Sequence, residues 1–148
     1  MKKLILGIAG AAALSACGMP TPTDPDLACD PTPASATLAA NVQALFTAKC
    51  SECHSAMSST YGDYSSAEKT AAATVNQKSL FAGTAGTLKV VEPNSLSNSS
   101  LWLKVLGGEM VGRTGPKGER LYSRMPQTGT LSTEEKKLIK DWICSGAK

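Results

Sequence analysis

The stretch Cys50-Ser51-Glu52-Cys53-His54 decides how the rest of this 148-residue chain is interpreted. On a helical turn, the two cysteine side chains lie along one edge and His54 follows on the same edge. Two cysteines in this spacing, followed at once by histidine, are the attachment pattern of c-type haem. In that pattern each thiol adds across a haem vinyl group and the histidine binds the iron. The stretch therefore predicts one covalently attached haem, held by Cys50, Cys53 and His54.

A redox dithiol or half of a zinc site is the competing interpretation of these cysteines. A zinc site requires a second pair of cysteine or histidine ligands. His54 is the only histidine in the chain, however, and Cys144 stands alone. A thioredoxin-like site requires a βαβ context, which the sequence does not offer. No second Cys-x-x-Cys-His occurs, so one haem is the expected complement.

The N-terminus has the pattern of an export signal. Met1-Lys2-Lys3 precedes an apolar run from Leu4 to Ala13, which is too short to span a bilayer. The run ends in Leu14-Ser15-Ala16-Cys17, which resembles the bacterial lipobox, where the signal is cut before a cysteine that becomes lipidated. We expect an exported protein anchored in a membrane through Cys17, with an ordinary signal peptide and an unmodified thiol as the alternative. Gly18 is not the aspartate linked with inner-membrane retention, so the outer membrane is favoured, at its periplasmic or its surface face.

The remaining chain fits one domain behind a tether. Residues 17–36 contain five of the eight prolines, separated by Thr, Asp and Ser, a composition typical of an extended and fairly stiff linker. We therefore divide the chain into a signal peptide at 1–16, a lipid-anchored tether at 17–36 and one domain at 37–148. The net charge of +3 is too small to indicate nucleic-acid binding.

Cys29 and Cys144 are the cysteines left after the haem motif and the lipidation site. In an exported protein, two leftover thiols more often pair than stay free. We expect a disulfide between them, which would bring the N-terminal arm against the last helix. Two unpaired cysteines are the alternative.

Periodic apolar positions and capping residues predict three helices. The first runs from about Leu38 to Cys50 and carries the haem motif at its end. The second runs from Ser99 to Leu106 behind Asn98 as its N-cap. The third follows the capping box Ser132-Thr133-Glu134-Glu135 and ends near Gly146. Between the first two, the sequence predicts a short helix at 65–76 and a short strand at 88–91.

An N-terminal helix ending in Cys-x-x-Cys-His, a later Met125-Pro126 and an amphipathic last helix resemble the small monohaem class I cytochrome c domains of bacterial lipoproteins. The resemblance covers about residues 38–147. It implies a mostly α fold around one covalent haem, with minor β structure and long loops. It also implies that Phe46, four residues before the first haem cysteine, packs against Trp142 or Ile143.

The second axial ligand of the iron is expected to be a methionine, because no other histidine is available. Met125 is favoured, since Pro126 biases it to an extended backbone and since it precedes the last helix as the family requires. Met110 is the rival ligand, whereas Met57 is too close to His54 to reach the opposite side. A sixth position that is open or holds a lysine is the remaining alternative.

These features predict a carrier of single electrons and not an enzyme, because a filled sixth position excludes oxygen and peroxide. The alternatives are a haem enzyme or gas sensor with an open sixth site, and a haem subunit of a larger complex. Redox proteins are the expected partners of a monomer or complex subunit. An acidic partner could dock on the basic residues Lys104, Arg113, Lys117, Arg120 and Arg124.

One element of the family is missing from this chain. The family often places a Gly-Pro-x-Leu turn soon after the haem motif, and the proline carbonyl orients the histidine ring. Residues 55–64 contain no proline. The sequence alone therefore does not identify which group orients His54.

Overall fold

The chain is mostly helical. The structure is a computed structural model, and it describes residues 25–30, 33–56, 62–80, 88–106 and 124–148. Its five α-helices in these ranges are α1 (Gln43–Lys49), α2 (Ser51–Ala56), α3 (Ala67–Thr74), α4 (Ser100–Leu106) and α5 (Thr133–Cys144). A π-helical turn (Leu38–Val42) precedes α1, and a short 3-10 turn (Pro25–Leu27) lies in the N-terminal arm. The signal peptide, the lipidation site Cys17 and the rival ligand Met110 lie outside the described residues.

The first predicted helix forms from Leu38, but its geometry changes along its length. Thr37 caps the start, where its hydroxyl accepts a hydrogen bond from the amide of Ala40. The π-helical turn passes directly into α1, and Leu38, Val42 and Phe46 are buried. The helix stops at Cys50, whose backbone departs from helical geometry, and α2 continues from Ser51. The predicted helix over about 38–50 is therefore confirmed as a π-helical turn followed by α1, and a further helix, α2, which the sequence does not predict, begins directly after the first motif cysteine.

The capping box of the last helix is confirmed. The Ser132 hydroxyl accepts from the Glu135 amide at 3.2 Å, and the Glu135 carboxylate accepts from the Ser132 amide at 2.8 Å. These two bonds satisfy amide groups that a helix start otherwise leaves without partners. The helix ends at Cys144, and Gly146 adopts a left-handed backbone with φ of +95° just beyond it.

The contact between α1 and α5 forms the centre of the core. Phe46 and Trp142 are fully buried, and their ring centroids lie 5.8 Å apart in an edge-to-face arrangement. Aromatic rings prefer this geometry because the positive edge of one ring meets the negative face of the other. The expected packing of Phe46 against the last helix is thus confirmed, with Trp142 as its partner.

The predicted helix at 65–76 forms as α3, whereas the strand predicted at 88–91 is wrong. In the described ranges, Lys89 and Val91 form only isolated bridges, to residues at 75, 78 and 99. Its neighbours are residues 76–79, which pair with it by backbone hydrogen bonds, and the ends of two helices. Val91 donates to Thr74 at the end of α3, and Ser100 at the start of α4 donates to Lys89. The segment therefore satisfies backbone groups that the two helices leave open, and its pairing with residues 76–79 amounts to single bridges and not to a strand.

The second predicted helix forms one residue later than expected. It begins at Ser100, so Ser99 and not Asn98 directly precedes it. Every side chain of α4 is buried, including Lys104. Within the described ranges, no helix has both the length and the apolar character needed to cross a bilayer.

The described part of the N-terminal arm lies against the last helix. Cys29 and Cys144 form a disulfide with their Cα atoms 5.4 Å apart, as the sequence predicts. Lys140 of α5 forms an ion pair with Asp30 of the arm at 3.5 Å. The Trp102 indole on α4 donates to the Asp26 carbonyl at 2.6 Å. The arm is therefore joined to both α4 and α5.

Removing the disulfide should destabilise the domain. We expect Cys29→Ala with Cys144→Ala to lower the free energy of unfolding by about 2 to 4 kcal/mol, because the bond constrains the unfolded chain over a long loop. Urea unfolding of the exported protein measures this change. The control, Lys140→Ala, breaks the partly exposed ion pair between the same arm and helix and should cost less than about 1 kcal/mol. Equal losses in the two variants would contradict the expectation.

Candidate functional site

The Cys-x-x-Cys-His motif lies at the junction of α1 and α2. The amide of His54 donates to the carbonyl of Cys50 at 2.9 Å, so the three functional residues follow one helical turn. Positions three and four apart share one edge of a helix. The sequence prediction that these side chains lie together is therefore met by the local backbone. Cys50 and His54 are half-buried, whereas Cys53 is exposed.

A cavity of about 630 Å³ adjoins the motif. Cys50, Cys53 and His54 line it, and so does Met125, the favoured distal ligand. Its apolar wall includes side chains from α1, α4 and the region of α5: Leu45, Phe46, Leu101, Val105, Leu131 and Ile139. The volume lies within the range of about 300 to 1,000 Å³ that is typical of ligand pockets. The fold thus brings the motif and Met125 to one largely apolar cavity.

Met125 reaches the cavity on the segment that leads into α5. Its amide donates to the carbonyl of Lys104 at 2.9 Å, which ties this segment to α4. The peptide bond between Met125 and Pro126 is cis. Met57 and Met110 lie outside the described residues.

Tyr64 is a site residue that the sequence analysis did not identify. Its ring stacks on the imidazole of His54, with centroids 4.2 Å apart and an angle of 9° between the planes. Burial, with a smaller effect of the nearby Cys50 thiol, raises the pKa of the Tyr64 phenol above its ordinary value. Tyr64 lies on a loop between helices, where no periodic pattern predicts burial. Only the three-dimensional structure brings it to His54.

The structure places Lys104 in a different environment from the one that the sequence predicts. It was grouped with basic residues that could dock a partner, yet only 7% of it is exposed and it lines the cavity. Burial lowers the pKa of its ammonium group to about 8. Helical periodicity offered a signal, because Lys104 lies three residues after Leu101 on the apolar face of α4. Of the other docking residues, Arg124 is exposed, and Arg113, Lys117 and Arg120 lie outside the described residues.

The cavity wall also holds a buried hydroxyl. Ser79 is 4% exposed and lines the cavity, and its Oγ has no hydrogen-bond partner among the described residues. A buried polar group without a partner is uncommon in a native protein. Together with Lys104, this hydroxyl gives the largely apolar cavity a means to bind an anionic or hydrogen-bonding group.

The two motif thiols differ in their surroundings. Burial raises the pKa of the Cys50 thiol to about 11, and the neighbouring Cys53 adds to the shift. Cys53 is exposed to solvent. Because the thiolate is the reactive form of cysteine, Cys50 is the less reactive of the two in the haem-free protein.

Within the described ranges, no group of three or more His, Cys, Asp or Glu side chains is arranged to hold a metal ion. A haem iron would need only one protein ligand on each side, because the porphyrin would supply the other four, and His54 and Met125 are the residues predicted for that role.

No protein-family model matches the chain, and no curated protein or solved structure is significantly similar to it.

The unequal burial of the two thiols leads to a test on haem-free protein. Cys53→Ser leaves Cys50 as the motif thiol, and Cys50→Ser leaves Cys53. We expect iodoacetamide at pH 8 to modify Cys53 at least about tenfold faster than Cys50, because Cys50 is buried and mostly protonated. Mass spectrometry of the modified peptides gives both rates, and unfolding in urea should make the rates similar. Equal rates in the folded variants would contradict the expected burial of Cys50.

Proposed function

We propose that this chain is a small monohaem c-type cytochrome that carries single electrons between redox proteins outside the cytoplasm. The observation that carries the proposal is the shared cavity, which Cys50, Cys53 and His54 line together with Met125. The motif follows the first helix and Met125 precedes the last, an order that fits the class I cytochrome c fold proposed here.

The cavity suits haem in size and in polarity. Its volume of about 630 Å³ and its apolar lining match a large, flat and mostly apolar cofactor. Haem also carries two carboxylates. Buried Lys104 offers a cation for a carboxylate, and the Ser79 hydroxyl offers a hydrogen-bond donor. Both residues line the same cavity as the motif.

Cys50 and Cys53 would hold the cofactor covalently. Each thiol would add across one vinyl group, with its sulfur bonding one vinyl carbon and its hydrogen passing to the other, so the addition requires no oxidant. His54 would bind the iron through its imidazole, and Met125 would bind it through its thioether. These roles are supported by the position of all four residues at one cavity.

Haem supplies reversible one-electron transfer at its iron, and a methionine ligand opposite histidine raises the potential. Met125 would occupy the position where oxygen or peroxide binds in haem enzymes, which favours a carrier over a catalyst. The hydrogen bond from the Met125 amide to the Lys104 carbonyl would hold the backbone that carries the thioether in one place in both oxidation states. The apolar side chains of α1 and α4 would exclude water from the same region.

We also propose that the protein is exported and lipidated at Cys17, with the outer membrane favoured over the inner membrane. The arm that leads from Cys17 is joined to the body by the Cys29–Cys144 disulfide. Such an anchored domain would exchange electrons with redox proteins, as a monomer or as the haem subunit of a complex.

The absorption spectrum of the matured protein tests this function. We expect haem to remain bound after acid extraction, to be lost in the Cys50→Ala, Cys53→Ala double variant, and not to bind carbon monoxide in the unmutated protein. Met125→Ala should abolish the weak near-infrared band of methionine-ligated ferric haem and admit carbon monoxide, because it opens the sixth position.

Met110→Ala is the matched control, since it removes the rival methionine and should leave both properties unchanged. Loss of the band in Met110→Ala alone would reassign the ligand. Carbon monoxide binding by the unmutated protein would replace the carrier with a haem enzyme or sensor. Absence of covalent haem from the matured protein would overturn the proposal.

A further inference from the structure

The ring of Tyr64 stacks face to face on the imidazole of the motif histidine, His54. The two rings are nearly parallel, at 9°, with centroids 4.2 Å apart. A histidine side chain rotates about two bonds, and the second torsion angle, which turns the ring, has only a broad preference. A parallel ring against its face removes most of that freedom. Tyr64 therefore restricts the plane of the imidazole.

Tyr64 is itself held firmly. It is 4% exposed, and its ring packs against Phe46 with centroids 5.7 Å apart. Its carbonyl accepts a hydrogen bond from the Gln43 side chain at 2.9 Å, which ties the loop to α1. Contacts that do not involve His54 thus hold Tyr64 in place. A residue needs such independent contacts if it is to orient another side chain.

The loop before Tyr64 is also fitted closely to α3. Gly62 has a φ of +87°, and a Cβ atom at this position would lie 2.7 Å from the Cβ of Ala73. Such a separation is far below van der Waals contact, so the loop approaches α3 at a place where only glycine fits. The loop carrying Tyr64 is therefore fixed on one side by α1 and on the other by α3.

We propose that Tyr64 is a positioning residue that fixes the plane of the His54 imidazole when this histidine binds iron. The inference rests on the proposed function, in which His54 is an axial ligand. The orientation of a metal-bound histidine is normally set by a group around it. The Gly-Pro-x-Leu turn that serves this purpose in class I cytochromes c is missing from residues 55–64. The face of the Tyr64 ring provides an alternative constraint.

The plane of the axial histidine determines how unpaired spin is distributed over the porphyrin in the ferric state. The four haem methyl resonances in the proton NMR spectrum of the ferric protein report that distribution. We expect Tyr64→Leu to change the order or the spread of these resonances, because leucine fills space but provides no flat face. Tyr64→Phe should retain the unmutated pattern, because it keeps the ring and removes only the hydroxyl.

A milder variant tests the same constraint in a protein that keeps its core. Gln43→Ala removes the hydrogen bond to the Tyr64 carbonyl and should shift the methyl pattern in the same direction as Tyr64→Leu, by a smaller amount. Its matched control is Thr47→Ala. Thr47 accepts the other hydrogen bond of the Gln43 side chain, at 3.1 Å, so the control leaves the bond to Tyr64 in place.

A control for general destabilisation is Val42→Ala, which opens the buried core at a position that does not line the cavity. It should lower the melting temperature without changing the methyl pattern. An unchanged pattern in haem-loaded Tyr64→Leu and Gln43→Ala would overturn the positioning role while leaving the proposed function intact. A methyl pattern that changes as much in Tyr64→Phe as in Tyr64→Leu would also overturn it, since the hydroxyl and not the ring face would then orient the imidazole. Absence of covalent haem in the unmutated protein would overturn both proposals.

Discussion

The edge-to-face contact between Phe46 and Trp142 is the constraint on which the rest of the described structure depends. It joins α1 to α5 at a point where both side chains are fully buried. The Cys-x-x-Cys-His motif follows the end of the first helix, and Met125 lies just before the start of the last. Because the two helices are fixed against each other, their attached segments meet at one cavity. A pair of aromatic rings in the core thus determines the geometry of a site built from distant parts of the sequence.

Helix α4 forms the wall that joins these two parts. All of its side chains are buried, and Leu101, Lys104 and Val105 line the cavity. Burying a lysine has a substantial free-energy cost, because the ammonium group loses hydration. The lowered pKa of Lys104 reflects this cost. Lys104 also anchors Met125 through its backbone carbonyl, so one residue contributes to both the wall and the proposed distal ligand.

Two irregular segments stabilise the arrangement without forming regular secondary structure of their own. Residues 88–91 link the end of α3 to the start of α4 by hydrogen bonds that the two helix ends leave open. The N-terminal arm lies against α5, where Cys29 is bonded to Cys144 and Trp102 donates to the Asp26 carbonyl. Short helices are marginal when isolated and depend on tertiary contacts. These segments supply such contacts to helices of seven to twelve residues.

Local sequence patterns predict four of the five described α-helices, the capping box, the Cys-x-x-Cys-His motif and the disulfide pairing. The helices, the capping box and the motif are each encoded within a few residues, by apolar periodicity, by side-chain caps or by spacing. The pairing is predicted because Cys29 and Cys144 are the cysteines left after the motif and the lipidation site. The tertiary structure alone decided that Tyr64 stacks on His54, that Lys104 is buried and that residues 88–91 link helices and form no strand. These outcomes depend on residues far apart in the chain, because packing selects which surfaces meet, and no local hydrogen bond or propensity specifies that choice.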